Sequence, residues 1–341
     1  MSAEGETLAR ALPALGDKGH RAVVAGVVRD GEHFHRGWAC DGNTPDGEAL
    51  FEIGSITKAF TGVLLADMAL RGEVALEDPL SRHLPGRQPA WRYREPTLVE
   101  LATHRSGLPN TPRAMARREL AYAMGLGKRD PWATLSEGDY RDLVASESPR
   151  RAPGGRVGYS SMAVGLLGDA LAARAGTSYE RLVSERVLEP LGMSATAVTV
   201  PPARRHRLLD GHSRRGRPRP PIEDLMPAAG SLRSSVEDML RFLTACLHPP
   251  NGPLGAALTL AQQPQAQIRR GLQIGLCWVL LDQPRRPRVV WHNGGTWGFR
   301  AFTGFAPDLG SAAVVMSNTA RSVDRLGLQM ATPPVEGVSS G

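Results

Sequence analysis

Phe51-Glu52-Ile53-Gly54-Ser55-Ile56-Thr57-Lys58-Ala59-Phe60 is the stretch from which the rest of the chain can be read. It begins as an apolar extended segment over residues 49–53 and breaks at Gly54-Ser55. A helix follows, with Phe60, Val63, Leu64 and Met68 at helical spacing, and it closes at Arg71-Gly72, a basic residue plus a glycine stop. Ser55 and Lys58 are three residues apart, so the helix puts them on one face, one turn apart. Only three of the 41 basic residues are lysine: Lys18, Lys58 and Lys128. In a chain so biased to arginine, a lysine inside an apolar segment needs a reason. A desolvated lysine can shed its proton and arginine cannot, so only lysine can serve as a base. The pair reads as a Ser-x-x-Lys nucleophile and base; the competing reading makes Ser55 an ordinary helix N-cap.

Two further elements follow in order. Pro153-Gly154-Gly155-Arg156-Val157-Gly158-Tyr159-Ser160-Ser161 precedes an apolar helix over residues 163–173. A loop tyrosine with a short polar residue two positions on can hold a phenol near the nucleophile to relay a proton, while the polar residue holds substrate. Trp291-His292-Asn293-Gly294-Gly295-Thr296-Trp297-Gly298-Phe299 lies between two strand-like segments. Its glycines let a strand edge approach an acyl carbonyl and offer it a backbone N–H. Taken singly, Tyr159 also reads as a core tyrosine and the glycines as a turn.

With the three elements in this order, the chain resembles the serine β-lactamase-like, penicillin-recognising hydrolases, in the branch of class C β-lactamases, DD-peptidases and esterases. The resemblance runs from about residue 23 to 328. It includes Leu76-Glu77-Asp78-Pro79-Leu80, Leu101-Ala102-Thr103-His104-Arg105-Ser106-Gly107-Leu108-Pro109, Glu189-Pro190-Leu191-Gly192-Met193 and Ala229-Gly230-Ser231-Leu232-Arg233-Ser234. It implies Ser55 as the acylated nucleophile, Lys58 as its base and Tyr159 as the proton relay, with the backbone N–H groups of Ser55 and Gly295 as oxyanion hole. Ser161 stands where the family usually has Asn, and His292-Asn293-Gly294 replaces Lys-Thr-Gly. These departures bear on recognition of β-lactams or of D-Ala-D-Ala and leave the acylation chemistry intact, so simple esters are expected to be turned over faster than cephalosporins. Histidine at position 292 makes the charge of the third motif depend on pH near neutrality. Trp297, Phe299 and Arg300 read either as lining of the acyl pocket or as core, and Arg300 could restore binding of a carboxylate.

Composition limits the other possibilities. At 341 residues and 41% apolar content the chain holds one large or two interleaved globular domains. Cys40, Cys246 and Cys277 suggest no disulfide framework. The N-terminal residues lack the basic patch and apolar run of a secretory signal, no apolar run is long enough for a membrane span, and a cytoplasmic location is expected. A net charge of +7 concentrates at Arg204-Arg205-His206-Arg207 and in residues 214–221, without interleaved aromatics, so it reads as a solvated loop and not a nucleic-acid site. His33 and His35 share a strand face without a third ligand, so no metal is expected. Gly337-Val338-Ser339-Ser340-Gly341 matches a nucleophile-elbow pattern but has no helix after it.

Residues 23–28 and 33–38 read as two alternating strands joined by a hairpin at Asp30-Gly31. Residues 273–281, 289–292, 299–305 and 312–317 read as four more, followed by a helix near 322–330. The region between is mostly helical. The expected fold is α/β of the α+β type: an antiparallel sheet from both chain ends (residues 1–80 and 266–331) flanked by helices, with a helical domain over 81–265 and a loose tail over 332–341. The expected function is a serine hydrolase acting on a small-molecule ester or amide through a covalent acyl-enzyme, without cofactor, metal, nucleic acid or membrane. A transacylase with the same Ser-Lys-Tyr site and a non-catalytic acyl sensor are the alternatives.

Overall fold

The computed structural model describes residues 3–333 apart from 85, 87, 125, 127–129, 150 and 223–224. Most of the expected tail, and the Gly337–Gly341 match with it, lies outside the described residues. Helix α1 (Ala3–Ala11) leads into the hairpin of β1 (Ala22–Arg29) and β2 (Glu32–Ala39). Asp30 and Gly31 turn it with φ of 51° and 81°, the left-handed pair that a two-residue hairpin turn requires. Then come α2 (Thr57–Leu70), α3 (Arg113–Ala123), α4 (Glu137–Ala145), α5 (Ser161–Ala175), α6 (Val236–Leu247) and α7 (Pro253–Ala261). The chain returns to the sheet as β3 (Ala266–Arg269), β4 (Leu272–Ile274), β5 (Val279–Leu281), β6 (Val289–Gly295), β7 (Arg300–Ala306) and β8 (Ser311–Ser317), and α8 (Asp324–Ala331) follows.

The eight strands form one antiparallel sheet in the order β2-β1-β8-β7-β6-β5-β4-β3, so the two chain ends meet at the β1–β8 pair, as expected. Two details differ from the sequence reading. Residues 273–281 are not one strand: Gly275 N–H donates to Trp278 O at 2.8 Å and Cys277 takes φ 61°, so the chain turns back on itself. β1 does not alternate either. Val24 and Val28 enter the main core, and Val23, Ala25 and Val27 enter a second one with Leu8, Phe302 and Met330. Both faces of that strand are covered, by α6 on one side and by α1 and α8 on the other, which is why it is apolar throughout. α6 packs on β1, β7 and β8, although it lies within the helical stretch of the sequence. His33 Nε2 lies 2.6 Å from Thr244 Oγ1. Among the described residues no helix is long and apolar enough to cross a membrane.

What matters for the site is how α2 is held. All of its side chains from Thr57 to Met68 are buried, because it is enclosed by α5, α7 and the 227–230 turn. That enclosure braces the helix, and its first turn faces the end of β6.

Candidate active site

Ser55 sits in a short 3₁₀ turn, Gly54–Ile56, that runs straight into α2. No side chain caps that turn, and Ser55 Oγ instead accepts a hydrogen bond from Lys58 Nζ at 2.9 Å. The N-cap reading is thereby excluded. Gly54 takes φ 53°, which lets the extended segment turn sharply into the helix. The Ser55 N–H lies in the first turn, where backbone donors have no intrahelical acceptor.

Lys58 is fully buried. Its ammonium nitrogen also reaches the Ala229 carbonyl at 2.6 Å and stands 5.1 Å from the centroid of the Tyr159 ring. The Ala229 carbonyl is presented by the 227–230 turn, which Thr61 ties to α2 by donating to Ala228 O at 2.7 Å.

Tyr159 is not a core tyrosine: 47% of it is exposed. Its loop is fixed from both sides by one residue, His104. Gly158 N–H donates to His104 O at 2.8 Å and Ser160 N–H donates to His104 Nδ1 at 3.2 Å, while the two rings lie 4.5 Å apart. An Nδ1 that accepts leaves the imidazole proton on Nε2. Burial, aided by the Lys58 charge, lowers this histidine to about 3, so it is neutral at physiological pH. Ser160, next along, caps α5 by accepting from Ala163 N–H at 2.9 Å. Ser161 is the first residue of that helix and its N–H is held by Asn110 Oδ1 at 3.0 Å.

The end of β6 closes the site. A Cβ on Gly294 would stand 1.8 Å from the Ile53 carbonyl oxygen, so only glycine lets this strand lie against the nucleophile turn. Thr296 N–H donates to Phe299 O. Bonded and unbonded pairs alternate in an antiparallel ladder, so Gly295 occupies an unbonded position with its N–H turned away from β7. His292 is buried, with its ring 6.5 Å from that of Tyr159. Its Nδ1 donates to the Asn293 carbonyl at 2.6 Å. Burial, then the Lys58 charge, lowers it to about 4. This corrects the expectation of a charge that switches near neutrality: the ring is enclosed, and a positive neighbour opposes a second one. Asn293 turns its amide to Asp324 Oδ2 at 3.0 Å.

Ser55, Tyr159, Ser161, Asn293, Gly294, Gly295, Trp297 and Arg300 line one cavity of about 650 Å³, and Lys58 and His292 lie behind its wall. Arg300 Nη1 donates to the Thr296 and Phe299 carbonyls at 2.7 Å each. Phe299 is core, edge-on to Phe51 at 6.2 Å. Residues that share the cavity without any signature in the sequence include Asp130, Trp132 and Asp324.

The beta-lactamase family profile matches residues 8–331 of this chain. The chain belongs to the beta-lactamase family. A beta-lactamase of Escherichia coli K12 is 28% identical over 305 residues, covering 80% of this chain and 76% of the relative. The D-alanyl-D-alanine-carboxypeptidase/endopeptidase AmpH of the same strain is 29% identical over 290 residues, with 80% and 71% covered. A beta-lactamase of Pseudomonas fluorescens is 24% identical over 343 residues, with 90% of each chain covered. As a member of the beta-lactamase family the protein is a serine hydrolase.

Proposed function

We propose that the protein hydrolyses a small-molecule ester or amide through an acyl-enzyme on Ser55. The observation that carries this reading is the 2.9 Å hydrogen bond between Lys58 Nζ and Ser55 Oγ at the floor of the cavity. Lys58 gives up a proton to enter the reactive form and then, as the amine, takes the Ser55 hydroxyl proton while Oγ bonds to the carbonyl carbon. The Ser55 and Gly295 N–H groups receive the oxyanion. As the intermediate collapses, the bond to the leaving group breaks and the proton passes from Lys58 through the Tyr159 phenol to that group. Water then bonds to the acyl carbon as Lys58 takes its proton, the bond from that carbon to Oγ breaks as the proton returns to Oγ, and the carboxylic acid leaves with Ser55 restored. His104 acts as a positioning residue for Tyr159. With His292 neutral and Asn293 occupied by Asp324, the cation lining the cavity among the described residues is Arg300, whose Nη1 is taken up by the Thr296 and Phe299 carbonyls, which favours simple esters and amides over β-lactams.

Time-resolved mass of the intact protein with an activated ester tests the reading. We expect an adduct that decays in water and is absent in Ser55→Ala. Decay only after an amine or alcohol is added would make the protein a transacylase, and persistence would make it a sensor. An undiminished adduct in Ser55→Ala would remove the nucleophile assignment.

A further inference from the structure

The cavity continues past Gly295 to Trp297, where a buried carboxylate awaits explanation. Asp130 is 4% exposed. Its Oδ1 accepts the Trp132 backbone N–H at 2.9 Å, which accounts for one oxygen as a turn-forming contact. Oδ2 is buried with no hydrogen-bond partner, and the residue lines the cavity. A buried carboxylate oxygen without a donor costs folding free energy, so a structural role alone leaves Oδ2 unexplained.

Its surroundings are aromatic and mixed in charge. Trp132 and Trp297 line the same cavity, and Trp297 is braced edge-on by Tyr122 at 4.8 Å. Glu119 adds a second carboxylate, fixed by Trp132 Nε1 at 3.0 Å and Thr111 Oγ1 at 2.8 Å. Two cations stand nearby: Arg219, stacked on the Tyr122 ring at 4.4 Å, and Arg300, whose Nη1 is taken up by the Thr296 and Phe299 carbonyls; among the described residues neither forms an ion pair with Asp130. Burial raises the Asp130 carboxyl above its ordinary value; the Trp132 N–H works against that, as does the Trp297 indole, which lies near without reaching hydrogen-bond geometry to Oδ2. An anionic oxygen among aromatic rings is a setting in which an ammonium group is held.

The position of this cluster indicates which part of the substrate it meets. The proton relay stands at the His292 end of β6, where the leaving group must depart. Asp130 and Trp297 stand beyond the Gly295 end, so the acyl chain runs toward them. We infer that the preferred substrate carries a cationic amine on its acyl group, held against Asp130 between Trp132 and Trp297. This deepens the acyl-enzyme reading and rests on it.

Pairs of p-nitrophenyl esters that differ only by –NH₃⁺ for –CH₃ test the inference: glycyl against propanoyl, β-alanyl against butanoyl, and 6-aminohexanoyl against heptanoyl. At the chain length that reaches Asp130, the ammonium ester should exceed its neutral partner in kcat/KM by tenfold or more. Asp130→Asn, and independently Asp130→Ser, should bring that ratio down to near one; a ratio within one protein is insensitive to how much of it folds. A wild-type ratio near one at all three lengths, with the neutral esters hydrolysed, overturns the amine and leaves the acyl-enzyme standing. A ratio that survives both substitutions overturns the role of Asp130. No adduct on Ser55 from any ester overturns both readings.

Discussion

Lys58 Nζ has two oxygen partners, the Ser55 hydroxyl and the Ala229 carbonyl, and no exposed surface. The carbonyl can only accept, so it takes one amine hydrogen and turns the rest of the group toward Ser55. Arginine preserves charge at such a position and nothing else: its planar fork needs more room, and it does not give up a proton. We therefore expect Lys58→Arg to lose acylation as severely as Lys58→Ala, about 10²- to 10⁴-fold, the usual contribution of a positioned base. The rate of labelling by a fluorophosphonate probe measures this. Near wild-type labelling in Lys58→Arg would leave Lys58 a purely electrostatic part. The pair was legible in the sequence because its spacing is local and its lysine rare. His104, the Ala229 carbonyl and Asp130 were not legible in that way. His104 and Ala229 stand in stretches that carried the family resemblance, but their contacts to Tyr159 and Lys58 join segments over fifty residues apart. Such contacts leave no spacing to read.

At the scale of elements, the site is a meeting of the α2 N-terminus, the Tyr159 loop and the end of β6, and the closest of these approaches is at Gly294. Placing a methyl group 1.8 Å from the Ile53 carbonyl must push β6 and the Gly295 N–H away from Ser55. Overpacking of this kind costs about 1–3 kcal/mol. Gly294→Ala should thus slow acylation by ten- to a hundredfold. Gly155→Ala, whose Cβ would meet nothing nearer than Ala152 O at 3.6 Å, should not. Equal labelling rates in the two variants would mean that β6 does not set the geometry. The glycines of this motif were readable as a strand edge built for close approach, although what they approach was not. The turn at residues 275–278 was missed because Leu276, Trp278, Leu280 and their neighbours are apolar enough to pass for one strand. The backbone reverses there under a hydrogen bond that composition does not announce.

At the scale of the whole molecule, three of the buried histidines, His20, His104 and His292, shape the response to acid. Burial is the first cause in each case: His20 and His292 fall to about 4 and His104 to about 3, with nearby cations adding to the effect. An unfolded imidazole takes up its proton near pH 6.5, so between that value and about 4 the unfolded chain binds more protons than the folded one. Stability is therefore lost as pH falls through this window. Asp169 acts in the opposite sense. It keeps part of its surface open, yet packing around its carboxyl pushes it up to about 6, so the folded state gains from its protonation as pH falls. From pH 7 to 5 each histidine costs about 2 kcal/mol and the aspartate offsets about 1, a net loss on the order of 4 kcal/mol. Urea unfolding at the two pH values should show the midpoint moving clearly downward at pH 5. His20 bonds Ser317 Oγ through Nδ1 and does not line the cavity. His20→Gln should flatten this pH dependence by roughly a third of the three-histidine effect while the pH dependence of ester turnover stays unchanged. A midpoint that holds or rises on acidification would mean that these imidazoles are protonated in the folded protein, and the neutral His292 on which the substrate reading depends would fall with it.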